Sequence, residues 1–383
     1  MPPCIVDIST ADGKRAANAL QLNNLKKAIP ETAFQKSFLK ATFYMLFDYT
    51  MWFGSVYLAH TFCNSDTWAT LPFWQQAVFS LLFWNFAGFF MWAIFIIGHD
   101  CGHTTFSDSD LLNDIVGHIT HGSILVPYYP WQLSHRRHHM YHNHVDKDYS
   151  HPWYTPERFA RPDESLAREV HNHHNWLFGL FPFYGWHIYL YGMPDGNHYI
   201  PFSNQRMWKE SETKEYYKCI LSTVVVLAFL IGHFNLFGAQ IMPFLYYYGV
   251  PYVIFGWWLV TVTYLQHHNH DTLAYDDKEW KFVDAAFETV DRTFGFGLDT
   301  LHHHITDGHV AHHLFFTKIP HYNLPIATKA VKEYMEQNNL GWMYKSEKTY
   351  DFPYRVHSYL LQFGFKAHTA GGVAEGSMLK KEK

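Results

Sequence analysis

The sequence predicts an all-α membrane protein, with about four transmembrane helices and a cytoplasmic helical cap rich in histidine. Three observations point there: long stretches without a basic residue, a composition heavy in aromatic rings, and histidines gathered at the ends of apolar runs. Lys40 is followed by no Lys or Arg until Arg136, and Lys218 by none until Lys278. A water-facing surface would not leave such stretches uncharged. The 383 residues include 33 Phe, 26 Tyr and 14 Trp, as expected of apolar spans with amphipathic rings at their ends. Charged residues are 16%, below the roughly 25% of soluble domains. The mean hydropathy of −0.20 reads as soluble only because 29 histidines dilute the apolar runs.

Other classes fall away on composition. A net charge of −5 gives no reason to expect a nucleic-acid partner. Cys4, Cys63, Cys101 and Cys219 are far apart and lack CxxC spacing, so neither a disulfide framework nor a thiolate zinc site is signalled.

In chain order, residues 1–40 form an N-terminal segment with six Lys or Arg and no signal-peptide apolar region. Residues 41–98 then hold a first transmembrane hairpin, with runs from about Ala41 to Phe62 and from about Leu71 to Gly98. Asp48 and His60 fall inside the first run, as a buried polar pair facing neighbouring helices would. Residues 99–218 form a polar middle segment whose apolar stretches, Val116 to Tyr128 and Trp176 to Tyr191, are too short or broken to span and fit interfacial helices. Residues 219–266 hold a second hairpin, with runs from about Cys219 to Phe237 and from about Met242 to Gln266. A second polar segment covers 267–366, and the Gly- and Lys-rich tail, 367–383, is expected to be disordered. The links inside both hairpins carry no Lys or Arg, so every basic residue falls in regions that span parity puts on one face. The positive-inside rule makes that face cytoplasmic.

The histidines carry the chemistry. His99 and His103 form an i, i+4 pair directly after the second run, one helical turn apart on one face. His135, His138 and His139 follow at i, i+3, i+4, and His309, His312 and His313 repeat that spacing after the fourth run. His267 stands at the end of the fourth run itself. One such pair in a histidine-rich chain arises by chance; three clusters on one predicted face point to a metal centre. Converged, these nine imidazoles exceed the shell of a single zinc and suit two ions of four to six coordination. Imidazole suits Zn, Cu, Fe and Ni alike, so ligand type does not choose the metal. His118, His121, His142, His144, His151, His171, His173 and His174 read as structural, while His303 and His304 could support ligands from behind. Asp100, Asp114, Asp146, Asp148 and Asp307 are candidates to accept the distal N–H of ligating rings.

The segments HDCGH (99–103), HRRHH (135–139) and HVAHH (309–313), in that order and with those spacers, resemble the three histidine boxes of integral-membrane fatty acid desaturases. The spacing of the first box is similar to that of the methyl-end branch, the delta-12 and omega-3 acyl-lipid desaturases. The likeness continues through 26–34, 99–114, 130–139, 262–267 and 291–322. It implies a di-iron centre held by His99, His103, His135, His138, His139, His267, His309, His312 and His313, with no catalytic residue beyond the ligands. In stearoyl-type relatives an Asn one turn before the equivalent of His267 holds a metal-bound water; this chain has Thr263 there.

The resemblance further implies oxygen-dependent removal of two hydrogens from an unsaturated C18–C20 acyl chain, leaving a cis double bond. The acyl chain would arrive on phospholipid or coenzyme A and lie in a narrow apolar channel walled by the spans. No HPGG haem motif and no GxGxxG follows a strand, so electrons are expected from free cytochrome b5 and its NADH reductase at an endoplasmic-reticulum membrane. Lys380-Lys381-Glu382-Lys383 resembles a dilysine retrieval signal of that compartment. Two competing readings are a related di-iron hydroxylase, acetylenase or conjugase, and a membrane metal transporter. The transporter requires ligands at bilayer mid-depth, whereas these clusters begin at span ends.

Overall fold

In a computed structural model, residues 6–7, 10–192, 197–200, 213–369, 371–374 and 379–380 are described. Lys381, Glu382 and Lys383, most of the retrieval-like motif, lie outside them. The described chain is mostly helical, and its only sheets are two-stranded. It divides into two units, each described by itself: Ser37–Leu133 with Pro182–Val260, and Met1–Lys36 with Ser134–Phe181 and Thr261–Lys383.

The first unit is built on long apolar helices. Helix α1, Phe38–Cys63, starts where the Ser37 hydroxyl accepts the Lys40 N–H at 3.3 Å. Helix α2, Phe73–Gly102, has 30 residues and so is about 45 Å long at 1.5 Å per residue. Its second half is buried without interruption from Ala87 to Cys101. Helix α3, Asp110–Ser123, packs against α2 at glycine, because a Cβ on Gly98 would stand 2.2 Å from the His121 ring. The stretches expected at the interface fall largely in short helices: α3 has 14 residues and α5, Phe181–Tyr191, has 11, against the roughly 20 needed to cross a bilayer. Between them, α4 runs from Tyr128 to Tyr141.

Among the described residues three helical stretches are long and apolar enough to span: Phe73–Gly102, Tyr216–Leu236 in α6 (Thr213–Leu236), and Ile241–His267. The last includes a π-helical turn, Leu245–Gly249, and then α7, Val250–His267. The Trp84 indole donates to the carbonyl of Tyr246 in that turn at 2.9 Å, supplying a partner where the ladder is interrupted. The fourth expected span, α1, has the length at 26 residues but not the apolarity of the other three.

The second unit holds α8 (His309–Phe315), α9 (Leu324–Gln337), α10 (Phe352–Phe363) and short paired strands. Strand β1, Leu273–Ala274, pairs in parallel with β4, Gly372–Val373, while β2, Asp291–Thr293, pairs with β3, Ser346–Lys348. The start of the tail therefore departs from the expected disorder. Ala367 is buried and donates its N–H to Tyr154 at 3.0 Å, and Gly371 donates to Thr272 at 2.8 Å. A Cβ on Gly371 would lie 2.8 Å from two carbonyl oxygens, so the glycine that suggested a loose tail is what lets the strand approach.

Candidate metal centre

Three elements of the second unit deliver imidazoles to one place. The last turns of α4 carry His135, His138 and His139, the end of α7 carries His267, and α8 carries His309, His312 and His313. In helices, i, i+3 and i+4 share a face, so each HxxHH segment presents its three rings together. His139 Nε2 lies 3.0 Å from His135 Nε2 and 3.2 Å from His312 Nε2. His267 Nε2 lies 3.2 Å from His138 Nε2 and 3.0 Å from His309 Nε2. The nitrogens of His138, His267 and His313 fall within 4.8 Å of one another, as do those of His135, His139 and His312. In the first unit, His99 and His103 at the end of α2 form their own close pair, with Nε2 atoms 3.2 Å apart.

A neutral imidazole carries one proton on two nitrogens, so three Nε2 atoms meeting at one point cannot all find hydrogen-bond partners in each other. His138 shows the consequence most directly. Its Nδ1 donates to both oxygens of the fully buried Asp148 carboxylate, 3.0 Å each. That bond assigns the proton to Nδ1 and leaves the Nε2 lone pair aimed at the cluster. Buried His313 has no hydrogen-bond partner for either ring nitrogen among the described residues. Lone pairs converging in a dry interior are costly by themselves and are the donor set that a divalent cation satisfies. The residues fit a metal.

Of the supporting carboxylates read from the sequence, Asp148 takes that role. It also accepts the backbone N–H of Asn143 and of His151 at 3.1 Å each, which fixes it from two sides. Asp100 lies 3.7 Å from His99 Nδ1, beyond hydrogen-bond length. Asp307 pairs with His304 at 3.2 Å and Asp146 with Arg161 at 2.7 Å. His118 donates to the backbone carbonyl of Asp114, not to its carboxylate.

Two histidines read as structural stand closer to the centre than expected. The His151 ring lies 4.4 Å from that of His267 and 4.9 Å from that of His138, and the His142 ring 4.6 Å from that of His313. Burial pushes His142 down to about 4, so it sits there neutral. His142 is one turn beyond His138, and the i, i+4 spacing was the available signal. His151 had none, because a loop brings it back.

The chain is similar to proteins of known family. The profile described as fatty acid desaturase matches residues 72–346. The chain is 38% identical over 357 residues to the Delta(12) fatty acid desaturase fat-2 of Caenorhabditis elegans, covering 92% of this chain and 89% of that one. It is 37% identical over 367 residues to the Omega-3 fatty acid desaturase fat-1 of the same organism, covering 94% and 84%. It is also 37% identical over 335 residues to the acyl-lipid omega-3 desaturase (cytochrome b5), endoplasmic reticulum, of Arabidopsis thaliana, covering 86% and 79%. An oxidoreductase of lipid metabolism is thereby defined. The chain belongs to the fatty acid desaturase family, in the branch that holds the delta-12 and omega-3 enzymes.

Proposed function

We propose that the protein inserts a cis double bond toward the methyl end of an unsaturated C18–C20 acyl chain, using dioxygen and electrons from cytochrome b5 and its NADH reductase. The observation that carries this reading is the convergence of imidazole nitrogens around His139 and around His267, in a family whose members desaturate acyl chains. In the proposal two irons are held by His99, His103, His135, His138, His139, His267, His309, His312 and His313. Bound there, they would supply the oxygen activation needed to take hydrogen from unactivated methylenes, which no side chain can do by acid or base catalysis.

The chain's own residues do the rest. Asp148 holds the His138 proton at Nδ1 and so keeps its Nε2 unprotonated for the metal. Apolar walls exclude water and hold the acyl chain, each buried CH2 contributing about 0.8 kcal/mol. The long apolar helices and the endoplasmic-reticulum relatives support a membrane protein; in the proposal it has four spans in that membrane, with both termini and all three boxes on the cytoplasmic side.

Expression in yeast with oleate and linoleate supplied separately tests this reading. Gas chromatography should show a new methyl-end double bond in at least one of them. A hydroxylated, acetylenic or conjugated product, or no product with intact membrane protein, would overturn it.

A further inference from the structure

Asp291 and Arg292 are consecutive on β2, and both are buried. Charged side chains held away from water need matched partners. Successive residues on a strand point to opposite faces, so these two reach different elements.

Arg292 goes to the end of α7. Its Nε donates to the Leu265 carbonyl and its Nη2 to the His268 carbonyl at 3.1 Å, one on each side of His267. Its Nη1 is held by the Glu347 carboxylate at 2.7 Å and the Thr349 hydroxyl at 3.2 Å. Asp291 goes to the start of α8. One carboxylate oxygen accepts the Val310 N–H at 2.9 Å, next to His309. The other accepts the Tyr344 hydroxyl at 2.6 Å and lies 3.6 Å from the Lys332 ammonium.

A cation thus meets the carbonyl-rich end of one helix and a carboxylate the N–H-rich end of the next, the sign each end favours. The backbone adds two ties: the Val290 N–H donates to Gln266 at 2.9 Å and the Arg292 N–H to Thr306 at 2.8 Å. The two ends so fixed are those that bring His267 and His309 to 3.0 Å.

We propose that Asp291 and Arg292 act as a positioning clamp that sets the end of α7 against the start of α8, so that His267 and His309 bind one metal ion. The proposal rests on the reading of those two histidines as ligands. Neither clamp residue touches the reacting atoms. The guanidinium is required because its forked donors serve two carbonyls and a carboxylate at once, whereas a lysine keeps the charge and loses the fork.

The test uses the full chain, purified in detergent from cells fed 57Fe, with iron per chain, Mössbauer spectra at saturating iron, and desaturation in yeast as readouts. Arg292→Lys and Asp291→Ala should elute as monodisperse protein, bind iron about ten-fold more weakly and show an altered spectrum even when loaded. Asp291→Asn keeps an acceptor for the Val310 N–H and should fall between Asp291→Ala and the parent. A loaded spectrum identical to the parent in Arg292→Lys, with unchanged iron content in both Arg292→Lys and Asp291→Ala, overturns the clamp. His267→Ala run alongside separates the two layers: full iron in that variant removes the ligand reading, and the clamp with it.

Discussion

Replacing Asp148 with asparagine would change almost no volume and remove one buried charge. The carboxylate serves three donors: His138 Nδ1 at 3.0 Å, and the backbone N–H groups of Asn143 and His151 at 3.1 Å. An amide offers one acceptor oxygen and turns its own N–H groups toward a donor, so at least one of the three is left facing another proton. Because Asp148 and Asn143 are fully buried, one unmatched group costs about 1–3 kcal/mol. Alanine removes both oxygens and leaves all three donors unmatched, a larger cost than the asparagine's. The functional effect of the asparagine is larger than its effect on stability, because its single acceptor oxygen is shared among three donors and no longer fixes the His138 proton on Nδ1. Loss of such a supporting carboxylate typically lowers metal affinity or activity about 10–100-fold. Product should be measured by gas chromatography in yeast per unit of membrane-inserted protein, with iron per chain on purified material. Asp148→Asn with parental product and parental iron would refute the reasoning, since it would show the tautomer of His138 to be irrelevant.

His138→Ala and His312→Ala should each abolish new double bonds while the protein remains membrane-inserted; activity in either variant removes that residue from the ligand set. Gly98→Ala would place a Cβ 2.2 Å from the His121 ring and 2.6 Å from the Thr120 hydroxyl, and should cost about 1–3 kcal/mol by overpacking. A thermal melt in detergent checks it against Gly232→Ala, whose added Cβ would meet nothing within 4 Å and should leave the midpoint near the parent. His171, packed against Phe178 with ring centroids 4.6 Å apart, is held down to about 3 by burial and then by the charges of Lys366 and His368. The folded state therefore refuses a proton that the unfolded chain takes up below about 6.5. Stability from this residue is fully present above 6.5 and is lost as pH falls toward 3, at no more than about 1.4 kcal/mol per pH unit. His171→Phe should flatten the dependence of the melting temperature on pH in that window; an unchanged slope would deny the role.

What was legible in the sequence followed from periodicity. The i, i+3, i+4 spacing of His135, His138 and His139, repeated at His309, His312 and His313, dictated a shared helical face, and each segment is indeed the end or body of a helix. Elements that local spacing cannot encode were not legible. His151 reaches the neighbourhood of His138 and His267 through a loop, tied locally by its backbone N–H on Asp148. Arg292 reads as one more basic residue until β2 places it beside the carbonyls of Leu265 and His268. The tail misled for the opposite reason: glycine counts toward disorder in composition, yet at 371 it permits a close backbone approach.

Helix α1 shows what an average over composition hides. Its buried residues are Ala41, Asp48, Trp52 and Ala59, a 7, 4, 7 spacing that keeps one narrow stripe turned inward. The opposite faces expose Leu39, Phe43, Leu46, Tyr57 and Leu58. In a soluble helix the inward stripe would be the apolar one. Here the acidic residue is inside beside Trp52, while Leu39, Phe43, Leu46, Tyr57 and Leu58 are outside, the polarity a helix needs when its outer solvent is hydrocarbon. Summing hydropathy over the helix blends the two faces and brings α1 below its neighbours, whereas the arrangement of the residues supports it as the first of the four proposed crossings. The same inversion explains Asp48, because an ionisable residue at that depth is tolerable only on the protein-facing stripe.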